Sequence, residues 1–419
     1  VMEDAALADT HTSIRQVSSL TEKQMLQKQD AVIASIEDHV LGGEELEVRY
    51  QFTYLTNAFS IKTEFRNLEE IAALDGVKSV FLAPVYQPVE TGAGDVTPLA
   101  TSSGQMVGVP SVWAKELGYT GTGMKIAVID TGLDMDHKSF AAAPEVNDSS
   151  MTAGDIAAVL GDLNAYSRMN GKVTADDLYY SAKMPFAFNY SDSNLVTDHA
   201  RDNQGDHGTH VAGIAAANAN VEGTDVVGMA PDAQIIVMKV FGRSGGAYDS
   251  DYMAAIEDAI VLGCDSVNLS LGSSYAGLAR SEVYQKLLDD LEKTDTVMVV
   301  AAGNNGHWAE GSRPKNLYAE DVNLSTAGSP GTYTNTLAVA SVDNDGSIGG
   351  YFRLGETRIF YNEQLFSQDS MRTLDTSGTG TEYEYLLIDG VGLKEDYAGM
   401  DLTDKIVFCS RGETSFVDK

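Results

Sequence analysis

Beyond Gly123 the chain alternates short, almost wholly apolar runs with periodic helical ones, and this rhythm constrains the fold more than any other feature. The apolar runs are Lys125–Ile129, Ile235–Val240, Ser266–Leu271, Val297–Ala301 and Leu337–Val342. Between them, Asp251–Leu262 and Ser281–Lys293 repeat apolar residues at helical spacing. Successive side chains of a strand point to opposite faces, so a strand that is apolar throughout has to be buried on both. The prediction is an α/β fold, a parallel sheet with helices on both faces, over residues 105–350. Residues 141–204 lack the rhythm and read as an insertion with a short helix near Ile156–Leu160. From Tyr351 the helical periods vanish, and strand-like runs at Arg358–Tyr361, Glu384–Ile388 and Lys405–Cys409 mark a β-rich segment, 351–419.

The N-terminal part has a different order. Thr21–Val40 reads as an amphipathic helix: Thr21 can cap it, Gln24 completes a capping box, and Met25, Val32, Ile33, Ile36 and Val40 share a face. Leu46, Val48, Tyr50 and Phe52 alternate with polar residues as a strand does. Asn57–Lys62 is expected as a second strand, Leu68–Leu74 as a short helix and Val77–Leu82 as a further strand. Residues 1–87 therefore read as a small α+β unit, and 88–104, rich in Gly, Thr, Ser and Ala, as an exposed linker.

The 419 residues carry 28 basic and 61 acidic side chains, a formal charge of −33 that would repel phosphate backbones and anionic membrane surfaces. Nucleic acid is excluded as a partner on that ground. No apolar run approaches the roughly 20 residues that span a bilayer, and Val1-Met2-Glu3-Asp4 does not open a signal peptide. The two cysteines, Cys264 and Cys409, fall in different segments and read as unpaired thiols.

Three short stretches carry candidate chemistry. In Ala127-Val128-Ile129-Asp130-Thr131-Gly132 the carboxylate ends a buried strand, so it emerges at the carboxyl edge of a parallel sheet, where such folds build their sites. Taken alone, Asp130 would as readily cap the turn that follows. In Asp206-His207-Gly208-Thr209-His210-Val211-Ala212-Gly213, His207 opens a helix of small residues able to pack closely on the sheet and hold the imidazole rigidly. His207 and His210 as metal ligands are a poor alternative, because such zinc sites space their histidines by four with a Glu between. His210 reads as structural. In Val300-Ala301-Ala302-Gly303-Asn304-Asn305-Gly306, the Asn304 amide follows a buried strand and can point at an oxygen that becomes negative. Left-handed turn geometry is the plainer reading for an Asn-Gly pair and suits Asn305 better. Ser270, Leu271 and Gly272 can pair with an extended peptide, and Gly245 and Gly246, leading into Ala247 and Tyr248, can form the opposite wall. Ala302 and Gly303 leave room for a substrate side chain.

In this order the three stretches resemble the Asp, His and oxyanion-Asn segments of the subtilisin-like serine proteases (subtilases), whose triad order is Asp, His, Ser. The resemblance covers residues 105–345 and implies a subtilisin-like parallel sheet with Asp130 and His207 as catalytic acid and base and Asn304 in the oxyanion hole. It also implies that residues 1–87 are an inhibitory propeptide and that 88–104 contain the maturation site. Residues 351–419 resemble the start of a protease-associated domain. That insertion, with the long segment before His207, is similar to cell-envelope proteinases of the lactocepin type, secreted or wall-anchored enzymes acting on extracellular polypeptides. No Gly-Thr-Ser-Met-like nucleophile segment occurs up to Lys419, so the nucleophile is expected downstream, in the remaining C-terminal part of the same protein. The expected activity is a serine endopeptidase, here as a zymogen-type fragment whose Val85–Thr101 would thread the groove and be cut. The alternative is a catalytically inactive peptide-binding module. No cofactor is required for the chemistry. One family calcium site is in doubt because His137 is followed by Lys138 and Ser139; Asp192 and Asp198 lack ligand spacing and read as solvated carboxylates.

Overall fold

The computed structural model describes residues 1–10, 19–88, 100–114, 117–198, 202–219, 227–243, 245–272, 282–304, 327–342, 351–360, 382–403 and 405–410. Contacts divide the chain into two units, the first made of Val1–Thr91 and Ala100–Asp345 and the second of Gly92–Leu99 and Gly346–Lys419.

In the N-terminal segment, the helix Ser19–His39 buries Met25, Val32 and Ile36, the face set by its apolar spacing. Strands β1 (Glu47–Phe52) and β2 (Ala58–Lys62) pair antiparallel, with a register shift between Val48 and Tyr50. A short helix, Leu68–Ala72, buries Ile71 against Met2, Val32, Ile36, Leu46 and Val77. The strand expected at Val77–Leu82 does not form. Val77 makes a single antiparallel bridge to Met2, and the Lys78 N–H donates to the Val1 carbonyl at 2.9 Å. Beyond that bridge the run pairs with no strand among the described residues, and Phe81 and Leu82 lie at the surface. The strand comes later, as β3 (Val85–Pro88).

The main sheet contains β4 (Lys125–Asp130), β5 (Phe186–Asn189), β6 (Gln234–Lys239), β8 (Ser266–Leu269), β10 (Val297–Ala301) and β11 (Leu337–Val339), while β7 (Ala247–Tyr248) and β9 (Leu271–Gly272) lie outside it. Its order is β11-β10-β8-β4-β6-β5, and every pairing is parallel. Ala127, Ile129, Ile236 and Met238 belong to one apolar cluster, and Val128, Ile235 and Val237 to the other. Both faces are therefore dry, as the uninterrupted apolar strands require, and each fully buried Val, Ile or Met side chain contributes about 1.5–3 kcal/mol. The helix Asp249–Val261 covers the first face and the helix His207–Ala216, through Ala212 and Ala216, the second.

Residues 141–204 are more than an insertion. They supply the edge strand β5 and short helices at Ala153–Val159, Asn164–Arg168 and Ala175–Leu178, and they bury Ile156, Leu163, Leu178, Phe186, Phe188 and Tyr190 completely. Thr152 and Thr174 each close a capping box, with Asp155 and Asp177, which starts a helix where periodicity is too short to read. The expected linker 88–104 ends in structure as well, since Ala100–Met106 is a helix; residues 89–99 lie outside the described residues. Ser266–Leu271 is not one strand: the chain leaves the main sheet at Ser270, and β9 belongs to a second, three-stranded sheet, β7-β3-β9.

The N-terminal segment packs on the Asp249–Val261 helix, whose residues from Asp249 to Ile260 are all buried. Tyr50, Phe52, Leu55 and Ala58 join the same apolar cluster as the sheet. Arg49 Nη2 meets Asp251 Oδ1 at 2.6 Å, the Tyr50 hydroxyl donates to the Tyr190 carbonyl at 2.8 Å, and the Leu55 N–H donates to Glu257 Oε1 at 2.9 Å.

In the second unit, β12 (Tyr351–Leu354) pairs antiparallel with β13 (Thr357–Phe360), and β14 (Glu384–Leu387) pairs parallel with β15 (Lys405–Phe408). A parallel pair needs a crossover, and the 3-10 turn Lys394–Tyr397 lies within it. Among the described residues no helix is long and apolar enough to cross a membrane.

Candidate active site

The winding of the main sheet reverses at β4: later strands add on one side as β6 and β5, and on the other as β8, β10 and β11. Such a reversal opens a crevice at the carboxyl ends of the strands. Asp130, the last residue of β4, sits there and is 1% exposed. Its Oδ1 accepts the Thr131 N–H at 2.6 Å and lies 2.8 Å from His207 Nδ1.

His207 is the first residue of its helix, which the sheet holds very close. A Cβ on Gly208 would lie 2.0 Å from the Gly132 carbonyl oxygen and 3.2 Å from Asp130 Cβ, so only glycine lets the helix start at that distance. The Gly208 N–H donates to Thr131 Oγ1 at 3.0 Å, and the Asp134 N–H donates to Thr209 Oγ1 at 2.9 Å, which ties the helix to the turn after β4. The hydrogen bond with Asp130 pushes the His207 imidazole above the ordinary histidine range, while its partial burial opposes the shift. A ring whose Nδ1 is engaged by a buried carboxylate keeps its proton there and offers the Nε2 lone pair as a base.

The second sheet, β7-β3-β9, takes in part of the N-terminal segment. β3 is its central strand: Val85 and Tyr86 pair antiparallel with Tyr248 and Ala247, and Gln87 and Pro88 with Gly272 and Leu271. Of the stretches expected as walls, Ala247 and Tyr248 on one side and Leu271 and Gly272 on the other pair through the backbone with an extended segment of the same chain. Gly245 takes φ +88°, a left-handed turn into β7, and Gly246 is buried. A Cβ on Gly272 would lie 2.6 Å from the Ser329 carbonyl oxygen.

Asn304 stands three positions past the end of β10, exposed, at the same carboxyl edge as Asp130. Ala302 is half-buried and tied by its N–H to the Val339 carbonyl at 2.8 Å, and Gly303 takes φ +100°. Residues 305–326, including Asn305 and Gly306, lie outside the described residues. The structure brings Asp130 and His207 into contact and places Asn304 at the same edge of the sheet.

Two sequence expectations are corrected here. His210 is exposed and holds no place in the core, because the helix buries the face of Gly208, Ala212 and Ala216 and His210, two residues past Gly208, lies on the opposite side. Asp192 is a half-buried turn anchor, with Oδ1 accepting the Arg243 N–H at 3.3 Å, and is no freely solvated carboxylate; Asp198 is exposed. Among the described residues no group of three or more His, Cys, Asp or Glu side chains is arranged to hold a metal ion. Thr131, Gly208 and the buried pair Lys239–Asp202 behind the turn went unread in the sequence. The available signal was a lysine ending an apolar strand, since lysine is almost never fully buried without a partner.

The chain as a whole is similar in sequence to several known proteins. A PIII-type proteinase of Lactococcus lactis subsp. cremoris (strain SK11) is 30% identical over 440 residues, covering all of this chain and 20% of that protein. The minor extracellular protease Vpr of Bacillus subtilis (strain 168) is 26% identical over 389 residues, 89% of this chain and 39% of its own length. A C5a peptidase of Streptococcus pyogenes is 28% identical over 313 residues, 73% of this chain and 25% of its own length. The chain thus spans about a fifth of the length of the lactococcal relative it matches. The Subtilase family model matches residues 121–413, from the approach to β4 to past β15, and the chain therefore belongs to the subtilase family.

Proposed function

We propose that this chain is part of a secreted serine endopeptidase acting on extracellular polypeptides, with Asp130 and His207 as its acid and base. The observation that carries the reading is the 2.8 Å contact of His207 Nδ1 with a carboxylate that is 1% exposed at the sheet's carboxyl edge. A serine downstream of residue 419, in the remaining C-terminal part of the protein, supplies the nucleophile. His207 Nε2 takes the serine proton as Oγ bonds to the scissile carbonyl carbon, and Asp130 stabilises the imidazolium that forms. Asn304, with the backbone N–H of the nucleophile, donates to the oxyanion. Collapse breaks the C–N bond, His207 returns the proton to the leaving amine, and water then hydrolyses the acyl-enzyme by the same steps reversed.

Residues 1–87 serve as an intramolecular inhibitor, and β3 lies where the non-primed side of a substrate would lie. Ser270, Leu271 and Gly272 on one side and Gly245 and Gly246 on the other line that path, and Ala302 and Gly303 leave space for the side chain before the cut. Maturation severs the chain within residues 88–104. The chemistry needs no metal ion or organic cofactor.

The test is a serine-directed fluorophosphonate applied to the full-length protein after removal of the N-terminal segment, with the labelled peptide mapped. Labelling of one serine beyond residue 419, lost in His207→Ala, is expected. Absence of labelling in the wild type would overturn the reading and leave a peptide-binding module in its place.

A further inference from the structure

Lys239 ends β6 and is fully buried. An ammonium in such a place is costly unless it is paired and hydrogen-bonded. Its Nζ lies 3.0 Å from Asp202 Oδ2, itself 3% exposed, and donates to the Thr131 carbonyl. Burial holds the ammonium below the usual lysine range, against the upward pull of Asp202, Asp192 and Asp198, the carboxylates that face it.

Thr131 is the residue on which the site converges. Its N–H reaches the Asp130 carboxylate, its hydroxyl accepts the Gly208 N–H in the first turn of the His207 helix, and its carbonyl is held by Lys239. Lys239 also lies beside Asp130 in strand register, and the Val240 N–H donates to the Asp130 carbonyl at 3.0 Å. The space around the contact is closed. A Cβ on Gly132 would lie 3.0 Å from Lys239 Nζ and 2.1 Å from the Thr197 carbonyl oxygen. The turn is therefore clamped between the Thr197 backbone and the ammonium, with little room to relax.

We propose that the Lys239–Asp202 ion pair positions the Asp130–His207 couple by fixing Thr131, so that without it the couple loosens while the fold stands. Lys239 is enclosed and meets no substrate; it acts through Thr131. The catalytic consequence rests on the protease reading above, whereas the effect on the couple itself does not.

The experiment uses the full-length protein and the double variant Lys239→Met/Asp202→Asn, which removes both charges together so that neither is left buried alone. His207 is titrated by deuterium exchange at the imidazole C2 position, read by mass spectrometry on mapped peptides, with exposed His210 as the internal reference. In the cooperatively folded double variant, the His207 midpoint is expected to fall by about half a pH unit or more towards the unperturbed histidine value, with His210 unmoved. With a peptide substrate, kcat is expected to fall about tenfold or more while KM stays within about twofold, the signature of a misplaced group rather than a lost binding contact. An unmoved His207 midpoint in the folded double variant would overturn the proposal. If the double variant does not melt cooperatively, Asp202→Asn alone, which keeps the shape and an acceptor for Lys239, is read by the same criterion. A wild-type protein without turnover would overturn the protease reading, while the His207 midpoint would still decide this one.

Discussion

Buried carboxylates stand in two regions of this molecule and are held in opposite ways. At the carboxyl edge of the main sheet, Asp130 faces the His207 imidazole at 2.8 Å and Asp202 faces the Lys239 ammonium at 3.0 Å. Along the Asp249–Val261 helix, under the N-terminal segment, Asp249, Asp251, Glu257 and Asp258 are buried mainly against neutral groups. Arg49 reaches Asp251, but Glu257 accepts the Leu55 N–H, and Asp258 accepts the Asn164 and Ala165 N–H groups and the Tyr190 hydroxyl. Burial pushes Asp249 up to about 7, Asp251 to about 6, Glu257 to about 8 and Asp258 to about 6. In the first region each carboxylate meets a basic partner, the arrangement that proton transfer needs. In the second, burial favours the neutral acids, and two of them, Asp251 and Glu257, are contacted by Arg49 and Leu55 of the N-terminal segment, so their proton occupancy should depend on coverage by it.

The largest expected effect breaks the first region. Asp130→Asn, which keeps shape but supplies the wrong hydrogen-bond partner to Nδ1, should lower kcat about 10⁴-fold, the magnitude documented for removing the acid of a comparable triad. The folded state should survive, which thermal melting of the full-length variant would verify. Asn304→Ala should lower kcat by about 10²- to 10³-fold with little change in KM, if its amide donates only to the developing oxyanion. That split is read directly from steady-state kinetics on a peptide substrate.

The second region gives smaller effects, in binding rather than turnover. Arg49→Ala leaves Asp251 buried without its guanidinium, and inhibition of the mature enzyme by residues 1–88 should weaken about 30-fold, about 2 kcal/mol. A pH dependence follows from the raised carboxylates. Their affinity for protons is higher when covered than when released, so the association is strongest below the ordinary carboxylate range and is lost as pH rises through about 6 to 8. Between pH 6 and pH 8.5 the inhibition constant should rise about tenfold. Glu257→Gln should flatten that dependence, and a wild-type constant that falls with rising pH would contradict the assignment.

What was legible in the sequence follows the same division. The strands β4, β6 and β10 can be read because burial on both faces demands unbroken apolar runs, and Asp130, His207 and Asn304 stand out through the resemblance of their three stretches, placed after such strands or at the start of a companion helix. The long-range consequences are hidden. Ser266–Leu271 reads as one strand, yet two sheets share it, since hydropathy does not record where a chain changes partners. Val77–Leu82 has the composition of a strand, yet among the described residues its one bridge is from Val77 to Met2. Phe186–Asn189, read as insertion, is a strand too short for its pattern to stand out. Lys239 and Asp202 are far apart in the chain, and their pairing exists only once β6 and the loop before His207 have converged.

The central claim, that Asp130 makes His207 the base of a peptide hydrolase, is tested most directly by the pH dependence of kcat/KM for the matured full-length enzyme and its Asp130→Asn variant. The account predicts an acidic limb in the wild type whose midpoint lies above the ordinary histidine value, because the hydrogen bond with Asp130 raises it, and a downward shift of that midpoint in the variant. A limb in the carboxylate range, or one that Asp130→Asn leaves in place, would contradict it.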